Sequence, residues 1–219
     1  MESGMAPNTV TGIPSAFWTT RRLPGTRDRR QGQPGTITSR RIAASPRRIL
    51  VIGTGNPLRT DGGAGTRTVE TLQAFFQFSP NVTFVRDSEQ CRGLLRSLMK
   101  ADAVIVIDAV RTGRRAGTLH RFTYDRLRQA LGGSDLPHQV TLLDTLSVTE
   151  ILGKTPETVI IAIEPQDAIN WSTQLTETVE LRIPDLVASV VAEVERMGGD
   201  CTPKQMQPHP LVALELVSA

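Results

Sequence analysis

Ile49-Leu50-Val51-Ile52-Gly53-Thr54-Gly55-Asn56-Pro57-Leu58-Arg59-Thr60-Asp61-Gly62-Gly63-Ala64-Gly65 is the stretch that decides the fold. Its first four residues form a short, continuous apolar run, the pattern of a strand buried on both faces. A glycine-rich turn follows. An amphipathic segment comes next, with Val69, Leu72, Phe75 and Phe76 at helical spacing. Strand, glycine-rich turn and helix together open an α/β sheet and place a site at its carboxyl edge. The turn carries one acid, Asp61, followed by Gly62 and Gly63.

Working outward, the same alternation continues. Strands are predicted at Arg48–Ile52, Val82–Val85, Ala103–Ile107, Thr118–Phe122 and Thr158–Ile163. Helices are predicted from Gly65 to Phe78, Cys91 to Met99, Leu142 to Leu152 and Thr176 to Met197. Pro184 either kinks the last of these or marks its true first turn, and Gly198-Gly199 ends it. Strands alternating with helices predict an α/β fold, a doubly wound, mostly parallel sheet with helices on both faces.

The chain has 219 residues and a net charge of +3, but that charge is unevenly spread. Up to Arg48 it holds nine of the 25 basic residues and only two of the 22 acidic ones, Glu2 and Asp28. Residues 1–46 are rich in Pro, Gly, Ser, Thr and Arg, and read as a disordered basic extension. The α/β domain is expected over 47–199, with a tail at 200–219. Basic tails can neutralise phosphates, but this one lacks interleaved aromatics and does not read as a nucleic-acid platform. No apolar run reaches membrane-spanning length, and no secretory signal is evident at the start. Cys91 and Cys201 make neither a disulfide framework nor a thiolate zinc site. A cytoplasmic location with free thiols is the expectation.

Three polar residues stand at strand ends and loops: Asp61 after the first strand, Asp108 after the third, and His138 in Pro137-His138-Gln139. Carboxyl ends of parallel strands converge on one rim, so the three can meet. Two carboxylates and an imidazole suit a divalent metal such as nickel or zinc. Each also has a plainer reading. Asp61 can be a turn residue or helix N-cap, Asp108 can cap the next turn, and His138 can be a surface loop residue. His120 and His209 have no evident partner and read as structural or exposed. Leu58 stands where a dinucleotide fingerprint needs its third glycine, so nicotinamide binding is not indicated. A P-loop lysine is missing after the glycines, and so is a G-x-S-x-G elbow.

In four ordered segments the chain resembles the hydrogenase maturation protease family. These are Gly53-Thr54-Gly55-Asn56-Pro57-Leu58 through Asp61 and Gly65, Ile105-Val106-Ile107-Asp108-Ala109, Pro137-His138-Gln139 with Leu146-Ser147, and Ile161-Ala162-Ile163-Glu164-Pro165. The resemblance implies a three-layer, phosphorylase/hydrolase-like sandwich. It also implies an aspartic-type endopeptidase that removes the C-terminal extension of a nickel-iron hydrogenase large-subunit precursor. The nickel is carried by that precursor, and no tightly bound organic cofactor or membrane contact is implied. The family's three ligand positions fall on Gly62, Asp108 and His138. With glycine at the first, Asp61 is the expected third catalytic and metal-binding group, beside Asp108 and His138. Asp87 is a further acid near the same rim, and Ile169-Asn170-Trp171 is a candidate precursor surface, although Trp171 reads slightly better as core. A monomer is expected. The alternative is a non-catalytic member that binds or checks the nickel-loaded precursor.

Overall fold

Continuous β-branched runs become the central strands. β1 (Ile49–Gly53), β4 (Ala103–Ala109) and β6 (Glu157–Ile163) are buried almost throughout, because each has strands beside it and helices above and below. The computed structural model describes residues 46–86, 91–126 and 137–204, with 91–92 and 137–143 described by backbone alone. The expected extension before Pro46, Asp87, His209 and the tail beyond Lys204 lie outside the described residues.

The main sheet has the order β3-β1-β4-β6-β5, with β3 (Val82–Arg86) and β5 (Leu119–Thr123) at its edges. β1 runs parallel to β3 and β4, β4 runs parallel to β6, and β5 returns antiparallel to β6. Leu50, Ile52, Val104, Val106, Ile160 and Ala162 alternate onto one face. They pack there with Leu94 and Leu98 of α2 (Cys91–Lys100) and Leu146 of α3 (Pro137–Ile151). Val51, Ile105, Ile107 and Ile161 take the other face. α1 (Ala64–Phe75) and α5 (Ile183–Arg196) contact each other and the sheet, burying Val69, Leu72, Leu186, Val187 and Val190. Each buried aliphatic side chain contributes about 1.5–3 kcal/mol, so these two layers carry the fold. The expected α/β sheet with helices on both faces is therefore formed.

Three boundaries differ from expectation. The first helix stops at Phe75, and β2 (Phe76–Phe78) pairs antiparallel with β7 (Cys201–Pro203). A segment expected in the helix and one expected in the tail thus make a second small sheet. The long C-terminal helix is two pieces, α4 (Glu177–Glu180) and α5. Pro184 stands in the first turn of α5, where its missing N–H is not needed. α3 begins at Pro137, so His138 lies in its first turn rather than in a loop. No helix among the described residues is long and apolar enough to cross a membrane.

This order locates the working edge. From β1 the chain crosses through α1 to β3 on one side, while β4 lies on the other. The loops leaving the carboxyl ends of β1 and β4 therefore diverge, which opens a crevice at a topological switch point.

Candidate active site

Gly53 of β1 and Ile107 of β4 are register partners, so the loop after β1 and Asp108 stand at the same level. Thr54 fastens them together. Its N–H and its hydroxyl both donate to Ile107 O, at 2.9 and 3.0 Å. The first turn of α1 comes in equally close. A Cβ on Gly65 would lie 2.3 Å from Ile107 O and 2.4 Å from Thr54 O, so only glycine fits. Gly55 has φ +102°, and a Cβ there would lie 2.0 Å from Gly62 O and 3.8 Å from Asp108 Oδ1. That glycine lets the Gly62 backbone and the Asp108 carboxylate approach the same turn. Asn56 shapes the rest, accepting the Leu58 N–H on Oδ1 and the Arg59 N–H on its carbonyl, both at 2.9 Å.

Asp108 is 6 % exposed, and its Oδ1 accepts the Ala109 N–H at 2.8 Å. It alternates with Val104 and Val106, so it shares the sheet face covered by α3. α3 ends shortly before β6 begins, so it descends from the rim and its first turn, with His138, starts there. The chain order thus directs the start of α3, with the His138 backbone, toward the edge where Asp108 stands. The His138 side chain lies outside the described residues.

Asp61 has a different setting. It lies in a 3-10 turn (Thr60–Gly63) and is fully buried. Its Oδ2 accepts the N–H groups of Gln166 and Asp167, both at 2.8 Å. Its Oδ1 accepts the Thr176 N–H at 2.8 Å, and the Thr176 hydroxyl lies 2.9 Å from both oxygens. The Asp61 N–H in turn donates to Asp167 O. A carboxylate has about four acceptor positions, and these donors occupy them, which offsets the cost of burying the charge. As placed, Asp61 has no position left for a metal. Gly62 is half-buried, and a Cβ there would lie 3.1 Å from Arg59 Cβ and 3.8 Å from Ala168 O. A side chain at 62 therefore fits with a small shift of Arg59. Among the described residues, no three His, Cys, Asp or Glu side chains gather as a metal-holding group.

A third buried acid on this rim is one to which the sequence alone assigns no role. Glu164, at the end of β6, accepts the Thr112 N–H at 2.9 Å, the Thr112 hydroxyl at 2.6 Å and the Gly113 N–H at 3.0 Å. His120 Nε2 lies 3.3 Å from Glu164 Oε2 and from Thr112 Oγ1, and its ring stacks on Phe122. His120 therefore has the partner that the sequence did not reveal. Burial pushes the Glu164 carboxyl up, but the bonds from Thr112, Gly113 and His120 outweigh it and hold the pKa below the usual 4.5. The signal was the acid closing an apolar strand, the same signal that marked Asp108.

Trp171 lies at the surface, not in the core. It is 67 % exposed, with the Arg59 guanidinium 4.2 Å from its ring centroid. Arg59 also donates to Ile169 O. Burial, then the nearby Glu195 charge, pushes the Cys201 thiol up to about 12.

Comparison with known proteins bears on the family and the fold. The profile of a family described as hydrogenase maturation protease matches residues 66–193, which include Asp108 and His138. The hydrogenase expression/formation protein HupD of Bradyrhizobium diazoefficiens is 34 % identical over 151 residues, 67 % of this chain and 79 % of that one. The hydrogenase 2 maturation protease of Escherichia coli is 28 % identical, covering 72 % of this chain and 97 % of its own length. The solved structure of the hydrogenase maturating endopeptidase HybD from Escherichia coli superposes with a TM-score of 0.67 at 28 % identity. That match covers 72 % of this chain and 98 % of that one.

Proposed function

The chain belongs to the hydrogenase maturation protease family, and from that premise we propose that it removes the C-terminal extension of a nickel-iron hydrogenase large-subunit precursor after nickel insertion. The observation that carries this reading is the placement of Asp108 at the switch point, on the sheet face where α3 begins with His138. In the reaction one peptide bond takes up water. The hydroxyl joins the carbonyl carbon, and a proton goes to the departing amine. Nickel in the precursor is substrate cargo, and it would serve as licence and anchor for that step. Asp108 and His138 engage it and orient the attacking water.

Asp61 serves this site indirectly in the same proposal. Its bonds to Gln166, Asp167 and Thr176 lock the loop after β1 to the loop after β6. The third position of the site then faces Gly62 and is left to solvent. We further propose that the protein acts in the cytoplasm as a monomer without a bound organic cofactor.

The test is incubation with nickel-loaded and nickel-free precursor, scored by mass. The proposal expects loss of the extension from the nickel-loaded form alone. Equal cutting of both forms, or cutting of neither, overturns it.

A further inference from the structure

Two features of the rim lie outside the chemistry above. The first is an apolar lip. Leu58, Ile169 and Trp171 are 50 %, 62 % and 67 % exposed, and bonds join the two loops that carry them. Ser172 N–H donates to Leu58 O, and the Thr60 hydroxyl donates to Asn170 O at 2.9 Å. Arg59 lies against the Trp171 ring while it holds Ile169 O. The tryptophan is thus held in place while most of its surface stays open. An aromatic side chain that is already ordered loses little freedom on binding a partner, and tryptophan is enriched among residues that dominate interfaces.

The second feature is the exposed loop Arg111-Thr112-Gly113-Arg114-Arg115 after β4. Its backbone is gripped by the buried Glu164 through Thr112 and Gly113. At the opposite edge of the sheet, arginines and lysines are matched by acids. Arg48 and Lys154 pair with Asp102, and Arg47 and Arg196 pair with Glu157. Among the described residues, Arg114 and Arg115 have no such ion pair. The Arg111 charge lies within electrostatic reach of Asp167, which itself caps the turn holding Ile169. Residues 164–167 therefore anchor both features: Glu164 holds the basic loop, and the N–H groups of Gln166 and Asp167 hold the loop of Leu58.

We infer that the Leu58–Ile169–Trp171 lip and the Arg111–Arg115 loop form one docking surface, and that its occupant is a precursor segment carrying an apolar side chain flanked by carboxylates. The occupant follows from charge complementarity with the arginines and from the apolar lip beside them. The inference rests on the precursor being the substrate. Docking here holds the precursor across the crevice that contains Asp108, so the surface governs affinity and not the bond-breaking step.

The test measures two quantities on the full chain with purified nickel-loaded precursor: the dissociation constant, and the processing rate at saturating protease. The variants are Trp171→Ala with Ile169→Ser, and Arg114→Glu with Arg115→Glu, each checked for an unchanged melting temperature. Both pairs are expected to weaken binding tenfold or more, while the saturated rate stays within about threefold of the parent. The charge-reversed pair is also expected to flatten the salt dependence of binding, and Arg114→Lys with Arg115→Lys to restore it. Parent-like affinity in both pairs overturns the surface. So does a precursor bound no better than a random single-stranded oligonucleotide that competes for the same arginines. A parent protein that binds but never cuts overturns the proposed activity and leaves the docking result readable. One that cuts while both pairs bind normally overturns only the docking surface.

Discussion

The two edges of the sheet use the same residue types for opposite ends. At the edge where β1, β4 and β6 begin, acids mainly pair with basic side chains: Asp102 holds Arg48 and Lys154 besides the Arg48 N–H, and Glu157 holds Arg47 and Arg196. At the rim where those strands finish, acids hold backbone. Asp61 collects N–H groups from Gln166, Asp167 and Thr176, and Glu164 collects those of Thr112 and Gly113. Exposed ion pairs are worth little to stability, while a buried carboxylate that satisfies several N–H groups fixes the shape of loops. The first edge is a solvated seam. The second is a set of loops held still around a crevice, which is what a site needs.

The sharpest way to break this contrast is to remove the Asp61 lock. Asp61→Ala leaves the N–H groups of Gln166, Asp167 and Thr176 short of their acceptor. It should cost about 3 kcal/mol of stability, lowering the melting temperature by roughly 6–12 °C. A change of a degree or two in thermal unfolding would mean that the lock does not hold the rim.

Next in size is Gly62→Glu. A Cβ there meets Arg59 Cβ at 3.1 Å, so the substitution needs a small shift of Arg59. If the third position of the site faces solvent there, the added carboxylate should tighten binding of nickel-loaded precursor by about tenfold, the order of effect expected for support of a metal site. Binding of nickel-free precursor should not change. Titration of both forms checks it, and equal tightening of both would place the new acid away from the metal.

The smallest effect belongs to the other edge. The Arg48 side chain, then its N–H, then Lys154 hold the Asp102 carboxyl well below the usual 3.8. A depressed carboxylate contributes stability that is present above its unfolded pKa and lost as pH falls through its folded value. Asp102→Asn should therefore cost about 1 kcal/mol at neutral pH, with a shallower loss of stability below about pH 4. Thermal melts across that range check it. Processing should be unaffected, since Asp102 stands at the far end of β4.

Much of this arrangement was readable from the chain. Ala103–Ile107 is continuous and β-branched, so its strand and the acid at its end needed no partner to be seen. The same holds for Ile49–Ile52 and its glycine turn. What could not be read depends on distant pairing. Phe76–Phe78 leaves the helix because Cys201–Pro203 lies beside it. His120 gains Glu164 only once β5 is laid antiparallel to β6. Asp61 looked available because its donors lie more than 100 positions away along the chain. Average burial favours core for Trp171, but it says nothing of an arginine that covers one side of the ring and leaves the rest open. Pro137 is a helix-start signal, and it prevails over the loop expected at Pro137-His138-Gln139.

β4 carries an acid at each end, Asp102 just before it and Asp108 near its close. The most direct test of the account is the mass of nickel-loaded precursor after incubation with Asp108→Asn, with Asp102→Asn as the matched control. The account predicts that Asp108→Asn keeps its melting temperature within a few degrees and slows removal of the extension by roughly 10²–10⁴-fold, while Asp102→Asn cuts like the parent. Removal of the extension by folded Asp108→Asn at the parent rate would contradict it.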